Sequence, residues 1–588
     1  MLDLRLYRIT LLPFAALLVI AAFSLHAPPA TPSGAPPAQT FDASATASTM
    51  ASLAASYPDR APGSAGDDAL AAHLARTPAP GGFADAGFTS VRIVSSDVES
   101  TAGEATVRTV IASRAGTGAG IALIADRGGS QRGASAASLA PTATLLQLAS
   151  IYKTLLPSRP LTFVSTSGGP SAMGAVARLL PAGTEAAIVI GDISDAGGSG
   201  PYVVPWSATG ALAPVALRRA VESAIADAIS RNVTDVALTE QMARLALPLT
   251  TGAQGLIGAA GIPAVLVSAD GEAPDAGSSV DTRQIGEFGQ ALLAVTTELQ
   301  SSGPLATTPT RDLAFGSQVL SGWAVRAVVG ALLLSLLACT LDVLARARRR
   351  RVVVGGWIVW ALSFAAPFAL AGCFAAFLGA GGLLPATPLA AVTPAQLPIS
   401  GEGAAALVSI GLLFVLAWVL RAAARARASR RGAPDPVGAV AALLVLTCAT
   451  AVLLWLANPY TAALLIIPAH LWLVVLTREH EHSPALGGLC LAVSLALPVA
   501  AVALIAAALH VEPFALLWTL VLLVAGGGLS PGNLLLASLT AGSFVAAAAM
   551  LLRRGGIGPD ERVEVTVRGP LSYAGPGSLG GTESALRR

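Results

Sequence analysis

The chain has 588 residues, 54% of them hydrophobic and 12% charged. It is too apolar for an ordinary soluble protein and too long for one domain, which implies an integral membrane protein with a water-compatible insert. The net charge of +2 is small and the basic residues are grouped, which excludes a phosphate-tracking nucleic-acid surface and points to membrane orientation.

The N-terminus carries Arg5 and Arg8, then an apolar stretch from Ile9 to Leu25 and a Pro-rich linker from Pro28 to Pro37. A cleaved signal peptide usually has an apolar region of ~7 to 15 residues and a small-residue cleavage site. Residues 1–27 are therefore expected to be an uncleaved signal-anchor helix, with a cleaved peptide as the alternative. Arg5 and Arg8 then stay in the cytoplasm, and a linker over 28–47 emerges outside.

Residues 48–303 alternate helical patterns with short β-rich runs. Residues 50–57, 68–75, 140–155, 171–180, 213–231 and 283–300 read as helices. Residues 107–113, 121–125, 161–165, 187–190 and 264–268 read as strands buried on both faces. That alternation predicts an α/β extracytoplasmic domain with a largely parallel sheet between helices. Between Phe41 and Gln318 there is one histidine, His73, and no cysteine; Cys339, Cys373, Cys448 and Cys490 all lie in apolar segments. No disulfide is expected, so this domain must be held by core burial.

An all-α polytopic transmembrane bundle of about seven to eight helical segments is expected over 319–552. The first runs from about 322 to 343 and is followed by Arg346, Arg348, Arg349, Arg350 and Arg351, which place that end in the cytoplasm. Further candidates are 353–378, 404–420, 437–457, 461–477 and 485–508, each near the ~20 residues a crossing needs. The Arg-rich loop 421–431 and the loop 478–482 fall inside, and the Pro-rich loop 380–402 outside. The last apolar stretch, 514–552, is interrupted at Gly526–Gly532. One crossing would put Arg553 and Arg554 inside; a helical hairpin with two crossings would put them outside. A cytoplasmic tail is the expectation. The tail, 553–588, reads as flexible, although Val563–Val567 alternates like a short strand.

Several short motifs resemble a known family. Arg60-Ala-Pro-Gly-Ser-Ala-Gly66 is similar to the opening motif of the M28 zinc aminopeptidases, and Gly87-Phe88 to the glycine before that family's second strand. Gly133–Ser138 falls where the family has Gly-Ala-Asp-Asp-Asn-Ala-Ser. Arg159–Val164 resembles the strand delivering a Glu-Glu pair, Gly261–Leu266 the Gly-Ile-Pro strand, and Asp281-Thr282 the Asp-Thr before the last helix. The resemblance spans about residues 48–300 and implies an M28-like fold. It also implies two zinc ions held by histidines and carboxylates, with a glutamate as general base.

The positions that the resemblance assigns to that chemistry hold other residues. The His-x-Asp falls near Ala125–Gly128, leaving Asp126 without a histidine. The bridging aspartate falls on Ser135 or Ala136, and the Glu-Glu pair on Gly169-Pro170. The later aspartate corresponds to Asp192, and the final histidine falls near Gln254. Two carboxylates without imidazole or base do not hold zinc tightly or activate water. As ordinary residues, Asp126 and Asp192 are solvated or capping acids, and His73 is a helix-face histidine. Within residues 48–303 no Gly-x-Ser-x-Gly elbow is present, and a serine nucleophile there would have only His73 as its partner. No catalytic residue, no metal ligand and no cofactor is therefore assigned, zinc entering only if an active metallo-aminopeptidase is the correct reading.

A groove at the strand ends could still bind a peptide or glycan. The Gly-rich loops at 128–133, 168–170 and 196–200 suit a widened mouth or are simply permissive. The layout of anchor, M28-like domain and helical bundle is similar to the GPI transamidase attachment subunit, and more loosely to the multi-span ER metallopeptidases. Within the bundle, Arg326 and Asp342 read as snorkelling anchors. His470, beside Pro468, and Asn458 read either as a proton-relay or headgroup site or as helix-to-helix hydrogen bonds. The leading expectation is a non-catalytic, M28-like protein of the plasma membrane. It would scaffold an envelope protein, peptide, glycan or lipid-linked partner and contact membrane lipids. An active metallo-aminopeptidase and a lipid or small-solute translocator are the alternatives.

Overall fold

The computed structural model describes residues 3–28, 37, 39–76, 81–83, 88, 90–100, 103–128, 135–155, 157–194, 200–229, 233, 236–272, 280–303, 305, 308–385, 390–428, 436–477 and 483–553. Most of the Pro-rich linker, Gly87, Gly133-Ala134, the loop at 196–199, Arg430-Arg431, the loop at 478–482 and the tail with Val563–Val567 lie outside the described residues.

The α/β domain is built on a seven-stranded sheet. Its strands are β1 (Ser90–Ser100), β2 (Gly103–Arg114), β3 (Gly120–Asp126), β4 (Leu161–Thr166), β5 (Thr184–Ile190), β6 (Tyr202–Val204) and β7 (Ala264–Ser268), in the order β1-β2-β4-β3-β5-β7-β6. β4, β3, β5 and β7 are parallel; β1 and β2 form an antiparallel hairpin, and β6 runs antiparallel to β7. All residues of β4, β5 and β7 are buried, because helices cover both faces of the sheet.

On one face lie helices Ala43–Ser56, Ala65–Arg76, Ala140–Tyr152, Val215–Ile229 and Thr282–Ser301, sharing one apolar cluster with β3, β4 and β5. The last of these starts where Asp281 caps the amides of Arg283 and Gln284. At Gly289 a Cβ would meet the Phe41 ring at 2.3 Å, so only glycine lets that ring lie across the helix. Helices Met173–Leu179, Leu238–Ala246 and Gln254–Ala259 cover the other face. A small hairpin, β8 (Leu313–Phe315) with β9 (Gln318–Leu320), leads into the bundle.

Among the described residues, seven helices are long and apolar enough to cross a membrane: Leu4–Phe23, Gly322–Arg349, Gly401–Ala424, Val437–Ala457, Pro459–Leu476, Ala485–Ala508 and Pro531–Leu552. An eighth candidate is the pair Gly355–Leu362 and Ala366–Ala380, bent by 44°. Helix Gly401–Ala428 exposes Val408 and Leu412 at 62% and 66%, side chains suited to lipid and costly in water.

The apolar stretch 514–552 resolves into one long helix and one short one. Pro513–Ala525 has 13 residues, about 20 Å, too short for the ~30 Å hydrocarbon core. It packs on the domain-side end of the bundle, where Trp518 donates to Leu397 O at 2.9 Å and Ala525 abuts Gly379. Pro531–Arg553 then runs antiparallel to Ala366–Ala380, with Leu534 against Gly372 and Gly542 against Ala365. Its buried end residue Leu551 belongs to the same apolar cluster of the bundle as Val343 and Ala347 of Gly322–Arg349. Asp3 pairs with Arg346 at 3.5 Å.

Domain and bundle are in direct contact. The last carbonyls of helix Leu238–Ala246 have no partner within the helix. They are met instead by Asn458 Nδ2, which donates to Leu245 O at 2.6 Å, and by Thr461 Oγ1, which donates to Ala246 O at 2.5 Å. Tyr460 is buried in the domain's second apolar cluster, and its hydroxyl donates to Arg311 O at 2.7 Å.

Candidate functional site: a pocket at the carboxyl ends of the parallel strands

β3, β5 and β7 stop at one edge of the sheet, and the residues just beyond their ends enclose a cavity of about 240 Å³. This is where parallel sheets generally place ligands, because the chain leaves each strand there and must turn. β3 ends on Asp126, β5 continues into Gly191-Asp192, and β7 ends on Ser268; all line the cavity. After β4, Gly168 and Gly169 take φ of +99° and +60°, a turn open to residues without a Cβ, and this brings Gly169 and Pro170 beside Asp126. Ser135, Ala137 and Ser138 close a second side, from the short turn that opens helix Ala140–Tyr152. Gln396, from the bundle loop 380–402, forms part of the wall.

Of the sequence-assigned positions, Asp126, Ser135, Gly169, Pro170 and Asp192 line this cavity, whereas Ala136 and Gln254 do not. Ala136 sits in the turn between two lining residues. Gln254 is fully buried behind the wall, donating through Nε2 to Trp206 O at 3.1 Å and Thr250 Oγ1 at 3.3 Å. Sequence reasoning did not assign Glu272. It lines the cavity too, and is held by Arg244 at 2.9 Å, Thr250 Oγ1 at 2.8 Å and the Thr251 amide at 3.0 Å. Its signal was available: like Asp126 after β3 and Asp192 after β5, it is an acid just past an apolar strand.

The carboxylates differ in surroundings. Asp126 accepts the Gly128 amide at 2.9 Å. Burial pushes its pKa up to about 6, against the opposing pull of that amide and of Arg127. Asp192 accepts the amide and hydroxyl of Ser194 at 2.9 and 3.0 Å. Behind them Arg127 is fully buried, paired with Asp67 at 2.8 Å and donating to Ser165 O and Arg108 O. Asp67 also accepts from Ser167 Oγ at 2.5 Å. Arg60, of the opening motif, donates to Ser135 O at 2.9 Å and Ser138 Oγ at 3.1 Å, so it braces the rim.

The polar donors of the lining are carboxylates, hydroxyls and an amide, with no imidazole or thiol, and Glu272 is committed to Arg244. Among the described residues no group of three or more His, Cys, Asp or Glu could hold a metal ion. This donor set does not fit a zinc pair, which needs nitrogen or sulfur ligands alongside carboxylates. His73 is elsewhere, against the Tyr57 ring at 5.6 Å between centroids.

The polar candidates of the bundle are dispersed. His470 contacts Tyr7 Oη at 3.2 Å through Nδ1 and Leu332 O at 3.1 Å through Nε2, linking three helices. Asn458 caps helix Pro459–Leu476 and turns to the α/β domain. Asp342 pairs with Arg346 at 2.9 Å, and Arg326 lies over the Trp455 ring at 5.0 Å.

No family model matches the chain, and no curated protein matches it. Solved structures similar to it include a leucine aminopeptidase precursor from Bacteroides thetaiotaomicron, at 14% identity and TM-score 0.35, covering 45% of this chain and 99% of that one. A glutaminyl cyclase from Porphyromonas gingivalis is 14% identical with TM-score 0.34, covering 44% and 98%. The zinc aminopeptidase BSAP from Bacillus subtilis is 10% identical with TM-score 0.35, covering 45% and 96%. No activity of this chain follows from likeness at that level.

Proposed function

We propose that this chain is a multi-pass envelope protein whose M28-like outer domain holds a peptide end, a glycan or a lipid-linked headgroup in the strand-end pocket without cleaving it. The observation that carries this reading is the lining itself, with Asp126, Asp192 and Glu272 among hydroxyls and no histidine or thiol. Metallopeptidase hydrolysis needs a metal-activated water, and serine- or cysteine-type hydrolysis a nucleophile with an adjacent base. Gly169-Pro170 stands where the resemblance would put the base and a ligand. A carboxylate-rich pocket suits a ligand offering N–H or O–H donors, above all an amine. The Gln396 wall supports a role for the bundle in presenting that ligand. In this reading the α/β domain lies outside the plasma membrane, and Asp3 with Arg346–Arg351 lies in the cytoplasm. From the transamidase subunit the reading takes the arrangement only.

The test uses the full chain in nanodiscs, screened by thermal shift against free peptides and oligosaccharides. A stabilising ligand is expected, recovered intact by mass spectrometry. Its effect should vanish in Ser135→Trp, which blocks the mouth, and weaken in Asp192→Asn. Recovery of a cleaved peptide would count against the proposal.

A further inference from the structure

A second concavity lies where the α/β domain meets the bundle, independent of what the strand-end pocket binds. It encloses about 370 Å³ and brings together Arg311, from the segment before β8, and Arg326 and Trp323, from the first turns of helix Gly322–Arg349. Each guanidinium donates one N–H to the end of helix Pro436–Ala457: Arg311 to Ala457 O at 3.1 Å, Arg326 to Leu456 O at 3.2 Å. These contacts fix both heads and leave most of the five donors of each uncommitted.

Among the described residues neither arginine forms an ion pair. Asp312 lines the same cleft, but its carboxylate accepts the Gly322 amide at 2.8 Å. Burial and the neighbouring Arg326 charge hold Arg311 below the usual guanidinium range, as expected for two cations sharing one cleft. The surroundings are those of a membrane interface. Trp323 is 57% exposed, and on helix Pro436–Ala457 Leu453 and Leu456 are 50% and 55% exposed.

We propose that this cleft takes the phosphate-bearing headgroup of an anionic membrane lipid. Arg311 and Arg326 bind the phosphate oxygens, and the acyl chains run along Trp323, Leu453 and Leu456. Paired guanidiniums suit the fork geometry of phosphate, and the adjoining apolar surface favours a lipid over a free anion.

The full chain in detergent would be titrated with dihexanoyl phosphatidylglycerol, dihexanoyl phosphatidylcholine and inorganic phosphate, with bound copies counted by native mass spectrometry. The tightest phosphatidylglycerol copy is expected to bind roughly tenfold more strongly than phosphatidylcholine. It should be lost in Arg311→Gln/Arg326→Gln. It should be lost as well in Ser321→Glu, which keeps both arginines and places an acid in the cleft. The melting temperature of each variant checks that it folds. Retention of that copy in both variants, or equal binding of the two lipids, would overturn the site. Inorganic phosphate binding as tightly as phosphatidylglycerol would overturn the lipid as its occupant.

Discussion

Asp126 and Arg127 are neighbours in sequence, and the end of β3 turns them to opposite sides. Asp126 faces the cavity, while Arg127 passes into the core to pair with Asp67. The carboxyl of Asp126 is held near pKa 6, so the folded chain keeps a proton that the unfolded chain gives up at lower pH. Its contribution to stability should therefore fall as pH rises across roughly 4 to 6 and be constant above. Asp126→Asn keeps an oxygen for the Gly128 amide and removes the titration. It should flatten that slope and stabilise the protein at pH 7 by on the order of 1–2 kcal/mol. Melting curves at pH 4.5 and 7 check this; an unchanged slope in the variant would refute it. Arg127→Met strands the Asp67 charge in the core and should cost about 3–5 kcal/mol, with Asp67→Asn added to it restoring part of the loss.

Strands β3, β4, β5 and β7 were legible as short apolar runs because both faces of each are covered. β1 was not legible: it is an edge strand whose residues alternate between exposed and partly buried, and its Arg92, Asp97 and Glu99 hide the pattern. Helix Leu238–Ala246 was missed for a different reason. It buries polar side chains by bonding them, Gln241 to Ala314 O and Arg244 to Leu249 O, while Leu238 and Met242 of its apolar stripe stay exposed, so the stripe does not mark the buried face. Of the site, Asp126 and Asp192 were readable as acids ending apolar runs, whereas Gln396 reaches the cavity through a long-range contact with no local signature. His470 was readable as a buried polar residue, but its partner Tyr7 lies 463 positions away. At this scale Asn458 joins two elements, capping helix Pro459–Leu476 and bonding Leu245 O. Asn458→Ala should cost about 1–2 kcal/mol and loosen helix Leu238–Ala246, seen as faster amide exchange at 238–246.

Across the molecule, the α/β domain and the bundle share structure. Tyr460 of the bundle is packed with Trp206, Leu212 and Leu245 of the domain, and Ala243 with Ile505 and Leu509. Excising residues 40–310 should therefore bare an apolar face and give a domain that self-associates, which sedimentation would show. Function is accordingly best tested on the intact chain. The most direct measurement is zinc content and peptide turnover of that chain, purified without chelator and assayed against a panel of aminoacyl and peptide substrates. Zinc well below stoichiometry and intact substrates are expected. Stoichiometric zinc together with release of N-terminal residues, abolished by Asp126→Ala or Asp192→Ala, would contradict the non-catalytic reading.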